Sequence, residues 1–207
     1  AGFSVVAQGQ NNGIAFAGAK TTLYEPGMRL PLIVREPGQK KAGRSQDAMI
    51  SWVDLAPTIL DYAGIDLSET QLHGRSFRKG ISGSLKGWDE VYASHTNHEA
   101  TMYYPMRVVK NRQYKLIFNI AHGLEFPLAK DLLQSPTWVS MQKNGLKLYG
   151  KRTPEALLHR PRIELYDLQA DPHEVVNLSE DPQYAEIRDQ MIAKLKTFQE
   201  NTRDPWS

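Results

Sequence analysis

The stretch Lys20-Thr21-Thr22-Leu23-Tyr24-Glu25-Pro26-Gly27-Met28-Arg29-Leu30-Pro31 is charged, bounded by glycine and proline, and preceded by the polar turn Asn11-Asn12-Gly13. Asn and Gly tolerate positive φ, so the tripeptide reads first as a turn. Adjacent carboxamides on such a turn can also offer oxygen ligands to a hard cation. A lysine a short loop later can reach an anion held by that cation. Lys20 read alone is a solvated surface lysine. Glu25 and Arg29 flank the Pro26-Gly27 turn, and their expected role is an ion pair that fixes the loop.

Further segments stand downstream. Asp54-Leu55-Ala56-Pro57-Thr58-Ile59-Leu60 precedes Gly74-Arg75-Ser76. The run from Ser94 to Arg107 reads Ser-His-Thr-Asn-His-Glu-Ala-Thr-Met-Tyr-Tyr-Pro-Met-Arg. Near the end come Glu164-Leu165-Tyr166-Asp167-Leu168, Asp171-Pro172, Glu174 and Asn177-Leu178. In this order the segments resemble the second half of a sulfatase. In that family an Asp-Asn-Gly turn binds Ca²⁺, and a Lys-Gly/Thr-Thr-x-Tyr-Glu-Gly-Gly-x-Arg segment follows. The run from Ser94 to Arg107 is similar to the sulfamidases, which remove N-linked sulfate from heparan.

The resemblance implies a fold, a chemistry and a site. The fold class is α/β, the edge of an alkaline-phosphatase-like sandwich plus a C-terminal antiparallel sheet with a terminal helix. Residues 1–88 would belong to the sulfatase domain and 89–207 to a C-terminal α+β subdomain, divided at the glycine-rich stretch Gly80–Gly87. The implied reaction is hydrolysis of a sulfate ester or sulfamate, with N-sulfoglucosamine of heparan-type glycans as the expected substrate. Lys20 corresponds to the lysine that holds the sulfate oxygens. Asn11 and Asn12 take the positions of the Ca²⁺ ligands. His95, His98, Glu99 and Arg107 are the expected sugar contacts, Arg107 having an internal acid as its alternative partner. The expected partner is a sulfated sugar or glycosaminoglycan, in a periplasmic, secreted or lysosomal setting, with a missing N-terminal half or a homo-oligomer completing the fold.

Two departures qualify the match. Sulfatases convert a Cys or Ser in a Cys/Ser-x-Pro/Ala-x-Arg motif to formylglycine, and this chain of 207 residues has no cysteine. Ser4 begins Ser-Val-Val-Ala-Gln and Ser45 begins Ser-Gln-Asp-Ala-Met, neither of which fits. Formylglycine is therefore not encoded here, and the chain by itself is expected to be inactive. The second departure is Asn11 where the family has Asp. An amide oxygen brings no charge, and Ca²⁺ affinity follows ligand charge, so weak or absent Ca²⁺ binding is expected.

Other readings compete. A non-catalytic glycan-binding or structural module would keep the sugar-facing residues without the chemistry. A phosphatase or phosphonate hydrolase of the same superfamily fits the first region but leaves His95 to Arg107 unexplained. His95 and His98, three apart and beside Glu99, have Zn²⁺-ligand spacing, but no third ligand stands at convincing spacing. Tyr103, Tyr104 and Trp138 can stack on sugar rings, although core packing is the default for such residues. Asn177-Leu178-Ser179 is a glycosylation sequon. The formal charge of +2 excludes a nucleic-acid-binding footprint, and no apolar run approaches the ~20 residues of a membrane span.

Periodicity supplies the elements. Leu30–Val34 suits a buried strand; without the partner strands of an intact α/β sheet, Leu32, Ile33 and Val34 would instead be exposed or paired with another chain. Asp47–Ala63 has helical spacing, with Gly64 as the residue past its end and Pro57 as a kink or a break into two pieces. Val91–Ser94 and Ile163–Asp167 read as strands. Met106–Lys110 and Gln113–Asn119 read as a hairpin around Asn111-Arg112. From Pro182 to Asn201 the stripe Tyr184, Ile187, Met191, Leu195 and Phe198 predicts an amphipathic helix capped by Asp181.

Overall fold

Asn111 and Arg112 separate two alternating runs, and the chain reverses there. In the computed structural model, strands β4 (Tyr103–Asn111) and β5 (Tyr114–Asn119) pair antiparallel with Val109 opposite Leu116. Asn111 Oδ1 closes the turn by accepting the backbone N–H groups of Gln113 at 2.9 Å and Tyr114 at 2.7 Å. The structure describes residues 4–7, 17–36, 38–39, 42–68, 70–81, 83, 86–99 and 102–207.

β3 (Glu90–Asn97) and β6 (Ile163–Asp167) complete an antiparallel sheet of order β3-β4-β5-β6. β3 runs past the expected Val91–Ser94 at both ends. Alternation along these strands divides the side chains between two cores. Tyr104, Met106, Val108, Ile117 and Tyr166 enter one. Val109, Leu116 and Leu165 enter the other, against α7 (Ala185–Asn201).

The terminal helix forms as its stripe predicts. Asp181 accepts the N–H of Gln183 at 2.9 Å, Pro182 opens a 3₁₀ turn through Tyr184, and α7 follows. Met191 and Leu195 are buried against the sheet, and Phe198 stacks on Tyr92 with ring centroids 4.2 Å apart. Each fully buried apolar side chain stabilises this docking by about 1.5–3 kcal/mol.

Between β5 and β6 the chain inserts three short helices: α4 (Lys130–Leu133), α5 (Pro136–Lys143) and α6 (Pro154–Leu158). Ser135 and Thr153 cap the last two from the position before each proline, accepting Trp138 N–H at 3.2 Å and Ala156 N–H at 3.1 Å. Leu132, Trp138, Met141 and Leu157 carry this insert into the first core.

The first region departs from the buried-strand and long-helix readings. Among the described residues, β2 (Leu32–Arg35) pairs only with β1 (Ser4–Ala7), antiparallel, in a two-stranded ribbon, and Ile33 is 65% exposed. Of the two expectations for the Leu30–Val34 run, exposure is the one met at Ile33, while Leu32 and Val34 are half-buried. A two-stranded ribbon supplies no second layer to bury such a strand.

The expected Asp47–Ala63 helix is shorter. Ser51 caps a 3₁₀ turn over Trp52–Asp54, and α2 spans Leu55–Tyr62. The segment is thus in two pieces, but the division falls at Asp54–Leu55 and Pro57 lies in the first turn of α2, where its missing N–H leaves no gap. Gly64 takes φ +75°, as a residue past a helix end should.

The Asp54 and Gly74 segments hold each other. The two oxygens of Asp54 accept Ser51 N–H at 2.8 Å and Arg75 N–H at 2.9 Å. A Cβ at Gly74 would collide with the Val53 carbonyl, so only glycine permits this approach. Ser76 Oγ donates to Asp61 at 2.6 Å, just ahead of α3 (Arg78–Ile81), which runs into the glycine-rich stretch. Among the described residues no helix is long and apolar enough to cross a membrane.

Candidate functional site

Lys20 sits on a tight turn. Gly18 takes φ +71° and Thr21 φ +69°; the latter is a rare place for a β-branched residue. The Thr22 hydroxyl donates to Gly18 O at 2.7 Å, with Ala19 O at 2.9 Å. The short helix α1 (Glu25–Met28) closes over this turn. A Cβ on Gly27 would collide with Thr22 O, which explains the Glu-Pro-Gly order.

Left-handed geometry costs an L-residue about 1–2 kcal/mol, and glycine returns part of that gain as unfolded-state entropy. Thr21→Gly should therefore raise Tm by about 1–3 °C in a thermal melt. A fall in Tm would show that the turn holds no strain at Thr21.

The next residues fasten the loop to the sheet. Tyr24 is buried, and its hydroxyl donates to Glu164 Oε2 at 2.7 Å. Tyr166 donates to the same oxygen at 2.6 Å, and Asn119 Nδ2 donates to Glu164 Oε1 at 2.6 Å. The Arg152 guanidinium lies 3.6 Å from the centroid of the Tyr24 ring. Burial pushes the Tyr24 hydroxyl well above its ordinary pKa, so it stays a donor to Glu164.

Glu25 does not pair with Arg29, as the sequence suggested. It receives Lys110 at 2.6 Å and Lys115 at 2.7 Å, both from the sheet, and Arg29 is exposed. Its backbone N–H donates to Glu174 Oε2 at 2.6 Å, and Lys115 lies 2.7 Å from Glu174 Oε1. Burial opposes ionisation of Glu25, but Lys115 and Lys110 outweigh it and hold the carboxyl below its usual value. Burial pushes Glu174 up, with Lys115 offsetting part of the effect. The sequence-adjacent partner loses because two lysines on neighbouring strands meet Glu25 inside the core.

Lys20 takes no part in this fastening and pairs elsewhere. Its ammonium lies 2.6 Å from Asp131 Oδ2 on α4. The hydrogen bond from Lys20 holds the Asp131 carboxyl below its ordinary value.

The second cluster lies at the β3–β4 turn. His95 is half-buried beside a bulge in β3, and its Nδ1 lies 3.3 Å from Tyr104 O. His98 donates its backbone N–H to Met102 O at 3.3 Å, and Glu99 is exposed. The next two positions of the turn, 100–101, lie outside the described residues.

Arg107 points to the other side of β4. It is buried, forms an ion pair with Asp204 (Nη2 to Oδ1 2.9 Å) and lies 4.8 Å from the Trp206 ring centroid. Of its two expected partners, the internal acid is the one present. The structure therefore gathers His95, His98 and Glu99 at one turn and places the Arg107 guanidinium under the C-terminal tail, where its Nη1 also donates to His95 O at 3.2 Å.

Burial disfavours the His95 imidazolium. The contact with Tyr104 O works the other way, and the charges of His98, Arg160 and Arg107 add to the depression, leaving the pKa below its ordinary 6.5. The folded chain thus binds fewer protons than the unfolded one just below that value. This contribution to stability is complete above about pH 6.5 and is lost as pH falls toward the folded pKa. Between about pH 7 and 5, the wild-type Tm should fall more steeply than that of His95→Gln. Parallel falls would remove His95 as the cause.

Other candidates resolve by packing. Tyr104 and Trp138 are core residues, whereas Tyr103 is half exposed and remains available to a sugar ring. Asn177 accepts Leu165 N–H at 2.8 Å and Ser179 N–H at 3.0 Å and donates to Ile163 O at 3.1 Å, so its side chain serves the backbone. Asp171 likewise accepts Val175 N–H at 2.6 Å and Val176 N–H at 2.8 Å.

Asn11 and Asn12 lie outside the described residues. Among the described residues no group of three or more His, Cys, Asp or Glu side chains could hold a metal ion. A groove of about 1520 Å³ is lined by Glu25, Arg29, Lys110 and Arg112 among others, but not by Lys20 or the β3–β4 turn.

Sequence reading missed Asp131, Lys110, Lys115 and Arg152, which stand in no pattern that announces a partner; Glu164 and Glu174 stood in the C-terminal signature, but with no partner assigned, because each meets the Lys20–Glu25 loop from a distant point in the chain.

Residues 18–143 match the family model described as N-sulphoglucosamine sulphohydrolase, C-terminal. The chain is 35% identical over 208 aligned residues to human N-sulphoglucosamine sulphohydrolase, covering 95% of this chain and 41% of that protein. It is 28% identical to an ulvan-active sulfatase of Formosa agariphila, covering 84% of this chain and 33% of the relative. The chain thus spans less than half the length of these relatives. A crystal structure of a Bacteroides thetaiotaomicron protein described as a sulfatase superposes with TM-score 0.62 at 22% identity, covering 89% of this chain and 32% of that one. A structure solved with its substrate D-glucosamine-2-N,6-O-disulfate gives TM-score 0.59 at 23% identity, covering 89% of this chain and 31% of that one. These likenesses place the α/β architecture among sulfatase folds, and the chain belongs to the N-sulphoglucosamine sulphohydrolase C-terminal family.

Proposed function

We propose that this chain is the C-terminal portion of a sulfatase that hydrolyses sulfamate or sulfate-ester groups, with N-sulfoglucosamine of heparan-type glycans as substrate. The observation that carries the reading is the Lys20 loop. Its neighbours Tyr24 and Glu25 are fastened to the sheet by Glu164, Lys110 and Lys115, which leaves the Lys20 ammonium to Asp131 on α4. A positioned ammonium stabilises the negative charge that develops on sulfuryl oxygens without reorganising at the moment of reaction. The attacking group in this family is a formylglycine hydrate, which a separate, N-terminal part would supply. His98, Glu99 and Tyr103 would meet the sugar, and His95 would support their turn.

The test uses a protein that joins this segment to a nucleophile-bearing N-terminal half. His98→Ala should reduce kcat/KM for glucosamine N-sulfate about tenfold or more, the scale of one lost hydrogen bond to a charged group. Turnover of 4-nitrophenyl sulfate, which has no sugar, should change much less. Equal losses on both substrates would return the cluster to a structural role.

A further inference from the structure

Resting on the reading of Lys20 as the sulfate-holding cation, we propose that Asp131 distinguishes a sulfamate from a sulfate ester. Its carboxylate would accept the N–H of the sulfated nitrogen while Lys20 holds the sulfuryl oxygens.

The geometry begins with the ion pair. Asp131 Oδ2 lies 2.6 Å from Lys20 Nζ, so a sulfuryl oxygen bound to that ammonium is a near neighbour of the carboxylate. The atom that bridges sulfur to the sugar is only one sulfur further on. Exposure fits the role: the Lys20 side chain is 11% exposed and that of Asp131 52%, so the carboxylate is the more open member of the pair. An ionised carboxylate offers about four lone-pair sites; the bond to Lys20 uses one and the backbone N–H groups of Asp131 and Leu132 approach two more, which leaves a site open.

Both groups are held on one core. Ala129 and Leu132 flank Asp131 and are buried in the cluster that also contains Leu23 and Tyr24. The carboxylate and the ammonium therefore keep their relation without help from a ligand.

The chemistry then discriminates. A sulfamate nitrogen carries a hydrogen that a carboxylate can accept. An ester oxygen carries none and sets a lone pair against the carboxylate. A site built to accept an N–H rejects the analogue that lacks it, because its polar group is left without a partner.

The experiment compares glucosamine N-sulfate with glucose 2-sulfate, which differ only in the atom that bridges sulfur to the sugar, in the joined two-part protein. Asp131→Ala should lower the ratio of kcat/KM for the sulfamate to that for the ester at least tenfold, and Asp131→Glu should recover part of it. Asp131→Leu, which keeps the bulk and carries no acceptor, gives the same comparison if the alanine variant does not fold. Equal falls on both substrates would make Asp131 a positioning residue for Lys20 alone and overturn the proposal, as would an unchanged ratio. Wild-type protein inactive on both substrates would instead overturn the sulfatase reading itself, and this inference with it.

Discussion

Lys115→Met should destabilise the chain by about 3–5 kcal/mol in a urea melt, the usual cost of removing one partner from a buried ion pair. The Lys115 side chain is fully buried and lies 2.7 Å from both Glu25 and Glu174, whose own side chain is fully buried. Without the ammonium, Glu174 must stay charged in the core or take up a proton. Adding Glu174→Gln to the variant should recover part of the loss, because the replacement carries no charge. A loss below about 1 kcal/mol would place these groups in water, as surface pairs are, and would remove the network as the fastening of the Lys20 loop.

Lys20→Ala should act in the opposite way, on chemistry and not on stability. In the joined protein, kcat/KM should fall about 10²–10³-fold for glucosamine N-sulfate and for 4-nitrophenyl sulfate alike, the scale of losing one charge-stabilising donor. The sulfuryl group is common to both substrates, so the two losses should match. Tm should move little, since the pair with half-exposed Asp131 contributes about 0–1 kcal/mol. Activity within a few-fold of wild type would remove Lys20 from the sulfate site.

The elements set by local chemistry were legible in the sequence. Asp181-Pro182 and the stripe through Met191 and Leu195 gave the terminal helix, because cap and periodicity act within the helix itself. Alternation in Tyr114, Leu116 and Phe118 gave β5, and Asn111 marked its turn. Burial was not legible for Leu32–Arg35, because an apolar run does not say how many neighbours a strand has. The effect of Pro57 was misplaced for a related reason: the position of a proline within a helix depends on where the helix starts.

The site divides in the same manner. Lys20 could be named from its motif, but Asp131 lies 111 residues away and Glu164 lies 140 residues from Tyr24. Such pairings exist only once the sheet and the helical insert are assembled. Arg107 shows the converse. A motif arginine that reads as a ligand for an acidic sugar is engaged by Asp204 at the other end of the chain.

The most direct test of the account is release of inorganic sulfate from glucosamine N-sulfate, measured with the 207-residue chain alone and with the protein that joins it to a nucleophile-bearing half. The account predicts sulfate release by the joined protein and none by the chain alone above a heat-killed control. Release by the chain alone, or none by the joined protein, would contradict it.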